Sequence, residues 1–186
     1  MKREKPEPIA ERSRRWLTEA LLALMAKEDY RDITIQEIAD RAGLSRRTFY
    51  RNFATKDEVL VRCAQTLREE YVAFLQGRED LSLPSIARLH FAFWQKRLTV
   101  IDTLRKGGMF HLVLAMYNEF LPGLYRQFKE APGGYESQKQ LDYALAFSAG
   151  GFWNMLDRWL SLGAKESPEE MADTIRKAIL NFASSR

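Results

Sequence analysis

With one cysteine in 186 residues, the chain has no route to an internal disulfide or to a cysteine-cluster metal site. Cys63 falls at an apolar position of an expected helix and reads either as an inert buried thiol or as a redox sensor. Histidine is nearly as scarce: His90 and His111 have no carboxylate or cysteine neighbours in a metal-ligating pattern, so no metal or cofactor is expected. Long apolar runs are missing too. The longest, around residues 143–156, contains Ser148, Asn154 and two glycines and lies between Asp142 and Asp157, too short and too polar to cross a bilayer. The opening MKREKPEP is charged, carries prolines and has no apolar segment behind it, which argues against a secretory signal and leaves a cytoplasmic location as the expectation. Neither a phosphate-cradling glycine loop nor a nucleophile and base pair is present, so no enzyme is expected. Period-two alternation is absent as well, which excludes sheet and leaves an all-α fold.

What is present is a globular composition, 46% hydrophobic and 29% charged, with a formal charge of +4 and a sequence pI near 9.2. The length suits one sizeable core or two small ones sharing a boundary. The basic residues are unevenly placed: Lys2, Arg3, Lys5, Arg12, Arg14, Arg15, Arg46, Arg47, Arg51 and Lys56 all lie in the first third. Spacings of three and four predict a helix over about 11–27 and a second from Thr34, whose Thr34-x-x-Glu37 has capping-box form. Gly43 stops the second helix, and Ser45 caps a short third one through about Asn52. Thr55-x-x-Glu58 opens a longer fourth helix with a stripe of Val59, Leu60, Cys63, Leu67, Tyr71 and Phe74. Further helices are expected after Pro84, over 98–106, and over 110–129, where Pro122-Gly123 should kink or split the run. APGG at 131–134 reads as a loop, and two last helices span about 136–162 and 168–182, the final one capped by Ser167-Pro168-Glu169-Glu170.

Between Thr34 and Phe53, two short helices joined by a glycine-bearing turn make the helix-turn-helix pattern. Ala39 is small where the helices cross, Gly43 accepts a turn closed to most residues, and Phe49 supplies an apolar anchor beneath the second helix. Such a helix, roughly 9 to 12 Å long, fits a major groove about 12 Å wide. Arg46 and Arg47 then reach base edges, while Ser45, Thr48, Tyr50, Arg51 and Asn52 face phosphates or sugars. Thr34 and Lys56 open neighbouring helices, whose free N–H groups favour phosphate. Lys2, Arg3 and Lys5 form either an arm on DNA or a disordered tail.

Residues 33–60, ITIQEIADRAGLSRRTFYRNFATKDEVL, resemble the DNA-binding region of the tetracycline-repressor (TetR) family of bacterial regulators, and EDY at 28–30 fits it too. The resemblance covers the first third of the chain, the remainder being similar only in helix order and in the capped final helix. It implies an N-terminal three-helix DNA-binding domain over residues 1–56 and a helical effector-binding and dimerisation domain over 57–186. It also implies DNA contacts from Thr34, Ser45, Arg46, Thr48, Tyr50 and Lys56, with Phe49 and Phe53 partly structural. Arg47 and Asn52 stand where many members have a small residue and a histidine, so an operator preference is not carried over.

One recognition helix covers only a few base pairs, so specificity normally takes two subunits set about one helical turn, roughly 34 Å, or more apart. Candidates for the dimer seam are Phe152, Trp153, Leu156, Trp159, Ile175, Ile179 and Phe182, each of which serves either that seam or the subunit's own core. Gly150-Gly151 weakens its helix unless another backbone approaches closely. Phe91, Trp94, Phe110, His111, Tyr117, Phe120 and Tyr143 line either an effector pocket or plain core, with His90 a further polar anchor. The expectation is a homodimeric, sequence-specific DNA-binding transcriptional regulator, a ligand-responsive repressor whose partners are a double-stranded operator and a small-molecule effector. Alternatives are an activator or an effector-independent DNA-bound adaptor and, last, a small-molecule-binding helical protein without a DNA role.

Overall fold

Helix α1 (Ile9–Met25) buries Ser13, Leu17, Ala20, Leu21 and Met25, a stripe at helical spacing that gives three further helices a common surface. These are α2 (Ile35–Arg41), α3 (Arg46–Asn52) and α4 (Lys56–Leu75). The computed structural model of the chain describes residues 8–78, 80, 82–128 and 137–184. Each of the three helices after α1 starts on a hydroxyl cap. Thr34 and Glu37 form a reciprocal box, Ser45 accepts the Thr48 N–H at 3.1 Å, and Thr55 accepts the Glu58 N–H at 3.3 Å. Glu58 reaches past Thr55 to the Ala54 N–H at 2.7 Å.

The body consists of α5 (Leu83–Gln95), α6 (Leu98–Lys106), α7 (Phe110–Phe128), α8 (Gln138–Ser161) and α9 (Pro168–Ser184). Among the described residues there is no strand, so the fold is all-α. α7 runs on through Pro122 without splitting, packed against both α4 and α8. The expected 131–134 loop and the basic residues Lys2, Arg3 and Lys5 lie outside the described residues.

α1 to α4 form a head in which α1 packs on α2, α3 and α4, and α5 packs along α9 in the body. α6 bridges the two, touching α1, α5, α7 and α8. The junction is tight: a Cβ at Gly107 would lie 2.8 Å from Met25 Cε and 3.2 Å from the Thr103 carbonyl oxygen. One buried apolar cluster continues from Leu17 through the whole inner face of α4 to Ile175, so the core does not break at residue 56. Cys63 belongs to that cluster; burial, aided by Glu70, pushes its thiol up to about 12, which makes it inert rather than redox-sensing.

His90 sits at the centre of the body, 3% exposed, and burial alone pulls its pKa from 6.5 to about 3. The folded chain therefore holds a neutral imidazole while the unfolded chain takes a proton below pH 6.5. Stability from this group is complete above 6.5 and is lost as the pH falls toward 3, by up to about 1.4 kcal/mol per pH unit. Urea unfolding between pH 7 and 5 should show this loss in the wild type, and His90→Phe should flatten it.

Candidate nucleic-acid interface

The turn between α2 and α3 is closed by its own backbone. Gly43, at φ +66°, lets the Gly43 N–H bond the Asp40 carbonyl at 3.0 Å and the Leu44 N–H bond the Ala39 carbonyl at 2.9 Å, the paired ending that needs a left-handed residue. α3 leaves this turn with Phe49 fully buried and Phe53 nearly so, their ring centroids 6.0 Å apart. A seven-residue helix has little stability of its own, so its orientation is set by those two rings. Burying Phe49 turns Arg47 and Arg51, two positions to either side, outward, and Arg46, Arg47, Tyr50 and Arg51 are all exposed.

The outward face breaks the rules that stabilise helices. Its first turn carries Arg46 and Arg47 and no acid, against the helix dipole, at about 0.3 to 1 kcal/mol each. Arg47 and Arg51 are four apart and repel one another. Among the described residues neither has a hydrogen-bond or ion-pair partner, whereas Arg46 rests over the Tyr50 ring at 5.8 Å. A polyanion facing α3 relieves every one of these conflicts. Thr48 and Asn52 are half-buried, and Asn52 Nδ2 donates to the Thr48 carbonyl at 2.8 Å, which leaves its Oδ1 outward-capable as an acceptor. Ser45 and Thr34 are exposed but spend their hydroxyls on caps, so their remaining capacity is single bonds at the helix starts.

Lys56 stands apart from the other expected contacts. Its ammonium donates to the carbonyls of Tyr30, Arg31 and Ile33 at 2.7, 3.0 and 2.7 Å and lies 4.6 Å from the Tyr30 ring centroid. All three N–H donors are thus engaged by the segment joining α1 to α2. Next to it the Tyr30 hydroxyl donates to Asp57, and burial, helped by that bond, raises the phenol pKa. The first turn of α4 therefore clasps the α1–α2 turn, a role sequence reasoning missed because the acceptors are main-chain atoms. Only EDY at 28–30 hinted that this segment mattered.

Of the residues that could serve either a dimer seam or the subunit's own core, Trp153, Leu156, Trp159 and Ile175 are buried in the core, and Phe152 is half-buried 5.2 Å from His90. Of that set, Ile179 is exposed. The apolar residues of α8 occupy more than one face, and periodicity alone does not say which face turns inward. Tyr143, expected in a pocket, is 66% exposed on α8, and Phe147, not singled out, is 84% exposed one turn on. His111 is exposed and holds the Gly108 carbonyl at 3.0 Å. Phe91, Trp94 and Tyr117 do come together around His90, while Phe110 stacks on Trp153 with centroids 3.6 Å apart. The expectations on Phe120 and Phe182 fall outside the residues whose side chains are described. Among the described residues no cluster of histidine, cysteine and acids suits a metal ion, and no helix is long and apolar enough to cross a membrane.

Residues 17–63 match the family described as bacterial regulatory proteins, tetR family, and residues 93–181 match a transcriptional regulator C-terminal region. The HTH-type transcriptional regulator TcmR of Streptomyces glaucescens is 29% identical over 119 residues, covering 63% of this chain. The matched stretch spans about half, 52%, of the length of that curated relative. Lin0861 from Listeria innocua superposes with a TM-score of 0.76 over 96% of this chain and 97% of its own at 15% identity. The dihydroxyacetone kinase operon activator DhaS gives 0.59 over 91% and 94% at 16% identity. At these identities the two structures bear on the fold alone.

The Lys56 clasp separates from a phosphate contact in solution. Lys56→Met should lower the melting temperature and weaken every duplex alike while leaving the slope of log affinity against log salt unchanged. Lys56→Arg should fare no better, because a planar fork cannot converge on three carbonyls. Arg51→Ala, removing an exposed cation, should reduce the slope by about 0.9 and spare the melting temperature.

Proposed function

The chain belongs to the tetR family of bacterial regulatory proteins, and from that premise we propose that this DNA-binding regulator acts as a homodimeric repressor whose grip on an operator is loosened by a small molecule. The observation that carries the DNA reading is the outward arginine face of α3, on which Arg47 and Arg51 meet no acid among the described residues, braced from behind by buried Phe49. Arg46 and Arg47 at the start of α3 serve as base readers; Thr34, Ser45, Thr48, Tyr50, Arg51 and Asn52 position the head on phosphate and sugar. Lys56 contributes by fixing α4 against the α1–α2 turn.

Pairing of two subunits is supported by the outer face of α8. Tyr143 and Phe147 are exposed there, and Cβ atoms added to Gly150 or Gly151 would meet nothing of their own chain within 4 Å. Two glycines in mid-helix cost about 1 kcal/mol each against alanine. A second copy approaching closely accounts for them, with exposed Ile179 and Leu180 of α9 extending the apolar surface. A ligand response is supported by the dry aromatic centre of the body, joined to the head through α4 and α6. Ligand and operator then compete through their preference for two arrangements of the heads, a coupling typically about 1 to 3 kcal/mol.

Duplexes selected from a random pool define the operator, and a reporter under that operator tests the sign of control. Expression that rises when the regulator is deleted fits repression; expression that falls supports activation instead. On the selected site Arg46→Ala should cost about 1 to 3 kcal/mol and narrow the gap to random DNA. Equal losses on both would remove Arg46 from base reading. Phe147→Lys should weaken dimerisation by at least about thirtyfold in sedimentation, and an unchanged dimer would move the seam away from α8.

A further inference from the structure

The ring cluster inside the body holds buried ring nitrogens, His90 Nε2 and Trp94 Nε1, that no hydrogen bond among the described residues engages. Among the described residues the fully buried polar side chains are Ser13, His90 and Thr103, with no buried lysine, arginine, aspartate or glutamate. His90 is ringed by Tyr71, Phe91, Trp94, Tyr117 and Phe152 at centroid distances of 6.1, 5.4, 6.4, 5.8 and 5.2 Å. The Tyr71 hydroxyl lies 3.5 Å from His90 Nδ1. A phenol O–H is the better donor of the two and a neutral imidazole nitrogen the better acceptor, which assigns the imidazole proton to Nε2. That N–H is buried and, like the Trp94 Nε1–H, meets no acceptor among the described residues. An orphaned buried donor typically costs about 1 to 3 kcal/mol, so its retention in a box of rings asks for a second partner.

Resting on the ligand-responsive reading above, we propose that the effector is an uncharged, largely aromatic molecule whose carbonyl-type oxygen accepts the His90 Nε2 proton. An anion finds no cation inside: Arg97, which stacks on Phe93 at 3.9 Å, is already paired with Glu70 at 2.7 Å. A cation finds no carboxylate, and His90 itself stays neutral. Flat rings match the edge-to-face packing of the walls. Phe152 is the half-buried ring nearest His90, and its rotation opens the cluster, so the ligand selects a form in which that ring has moved.

Four probes of one size test this on the full chain, read by tryptophan fluorescence and melting temperature: 2-acetonaphthone, naphthalene, 2-naphthoate and 2-naphthylmethylammonium. The ketone should bind saturably and at least about tenfold more tightly than naphthalene, with both ions weaker still. His90→Phe should erase the advantage of the ketone over naphthalene, and Phe152→Ala should tighten the ketone severalfold in a chain that keeps His90. A preferred ion, equal binding of ketone and naphthalene to the wild type, or no saturable binding by any probe would overturn the assignment. Operator release is measured in the same samples. Ketone binding that leaves DNA bound keeps the ligand class and sinks the regulatory reading instead.

Discussion

The burial of Phe49 is the constraint on which the DNA-reading surface depends. α3 is seven residues long, below the length at which a helix holds itself together in water. Its direction is imposed by one ring driven into the same cluster as Leu17, Leu21 and Ile38, with Phe53 closing the far end. Because a helix separates its faces by a fixed rotation, seating Phe49 inward fixes Arg47 and Arg51, two positions to either side, outward. The turn before it has no freedom either, since Gly43 and Leu44 spend their amides on the last carbonyls of α2. Recognition chemistry and core packing are in this way two sides of one short element.

The head is carried by α4, which starts in the head and ends deep in the body. Its 20 residues make a rod about 30 Å long, gripped at the first turn by Lys56 and Asp57 on the α1–α2 segment and along its inner face by the core. A rod held this way passes rotation on rather than absorbing it. Tilting it by about 5° moves its end by about 2.6 Å, close to one base-pair rise, which would be enough to spoil register between the two heads of the proposed dimer. The contact of Gly107 with Met25 adds a second route from α6 to the end of α1. Its tightness leaves little slack at the junction.

Local chemistry was legible in the sequence, and long-range partnership was not. The caps at Thr34, Ser45, Thr55 and Ser167 stand where residue type and spacing put them, because a cap involves residues within one turn. The glycine turn and the Phe49 anchor were readable for the same reason. α8 was not: Trp153, Leu156 and Trp159 face the core while Tyr143 and Phe147 face out, and a helix apolar on several sides gives no rule for choosing between them. Lys56 escaped because three carbonyls carry no side-chain signature. His90 could be named as a polar anchor, but its orphaned nitrogen emerges only from the rings packed around it.

Among the described residues, α3 and the surroundings of His90 each keep a local conflict that the fold itself does not resolve, and the two are far apart in kind. On α3, cations crowd the positive end of a helix and repel one another in water, a conflict of charge that salt screens and a polyanion removes. Around His90, a donor is held dry among rings, a conflict of hydrogen bonding that salt does not touch and that an acceptor removes. Sequences tend to agree with their folds at every level except where function asks otherwise. Each conflict alone has bland readings, a solvated arginine face or a poorly served core histidine. Their placement at the two ends of α4, with the cationic one beyond its first turn and the dry one beside Tyr71 near its last, gives the rod something to report at both ends. A ligand at the proposed site beside His90 would shift the ring packing against α4, and the far end of the same helix carries α3 with its exposed arginines.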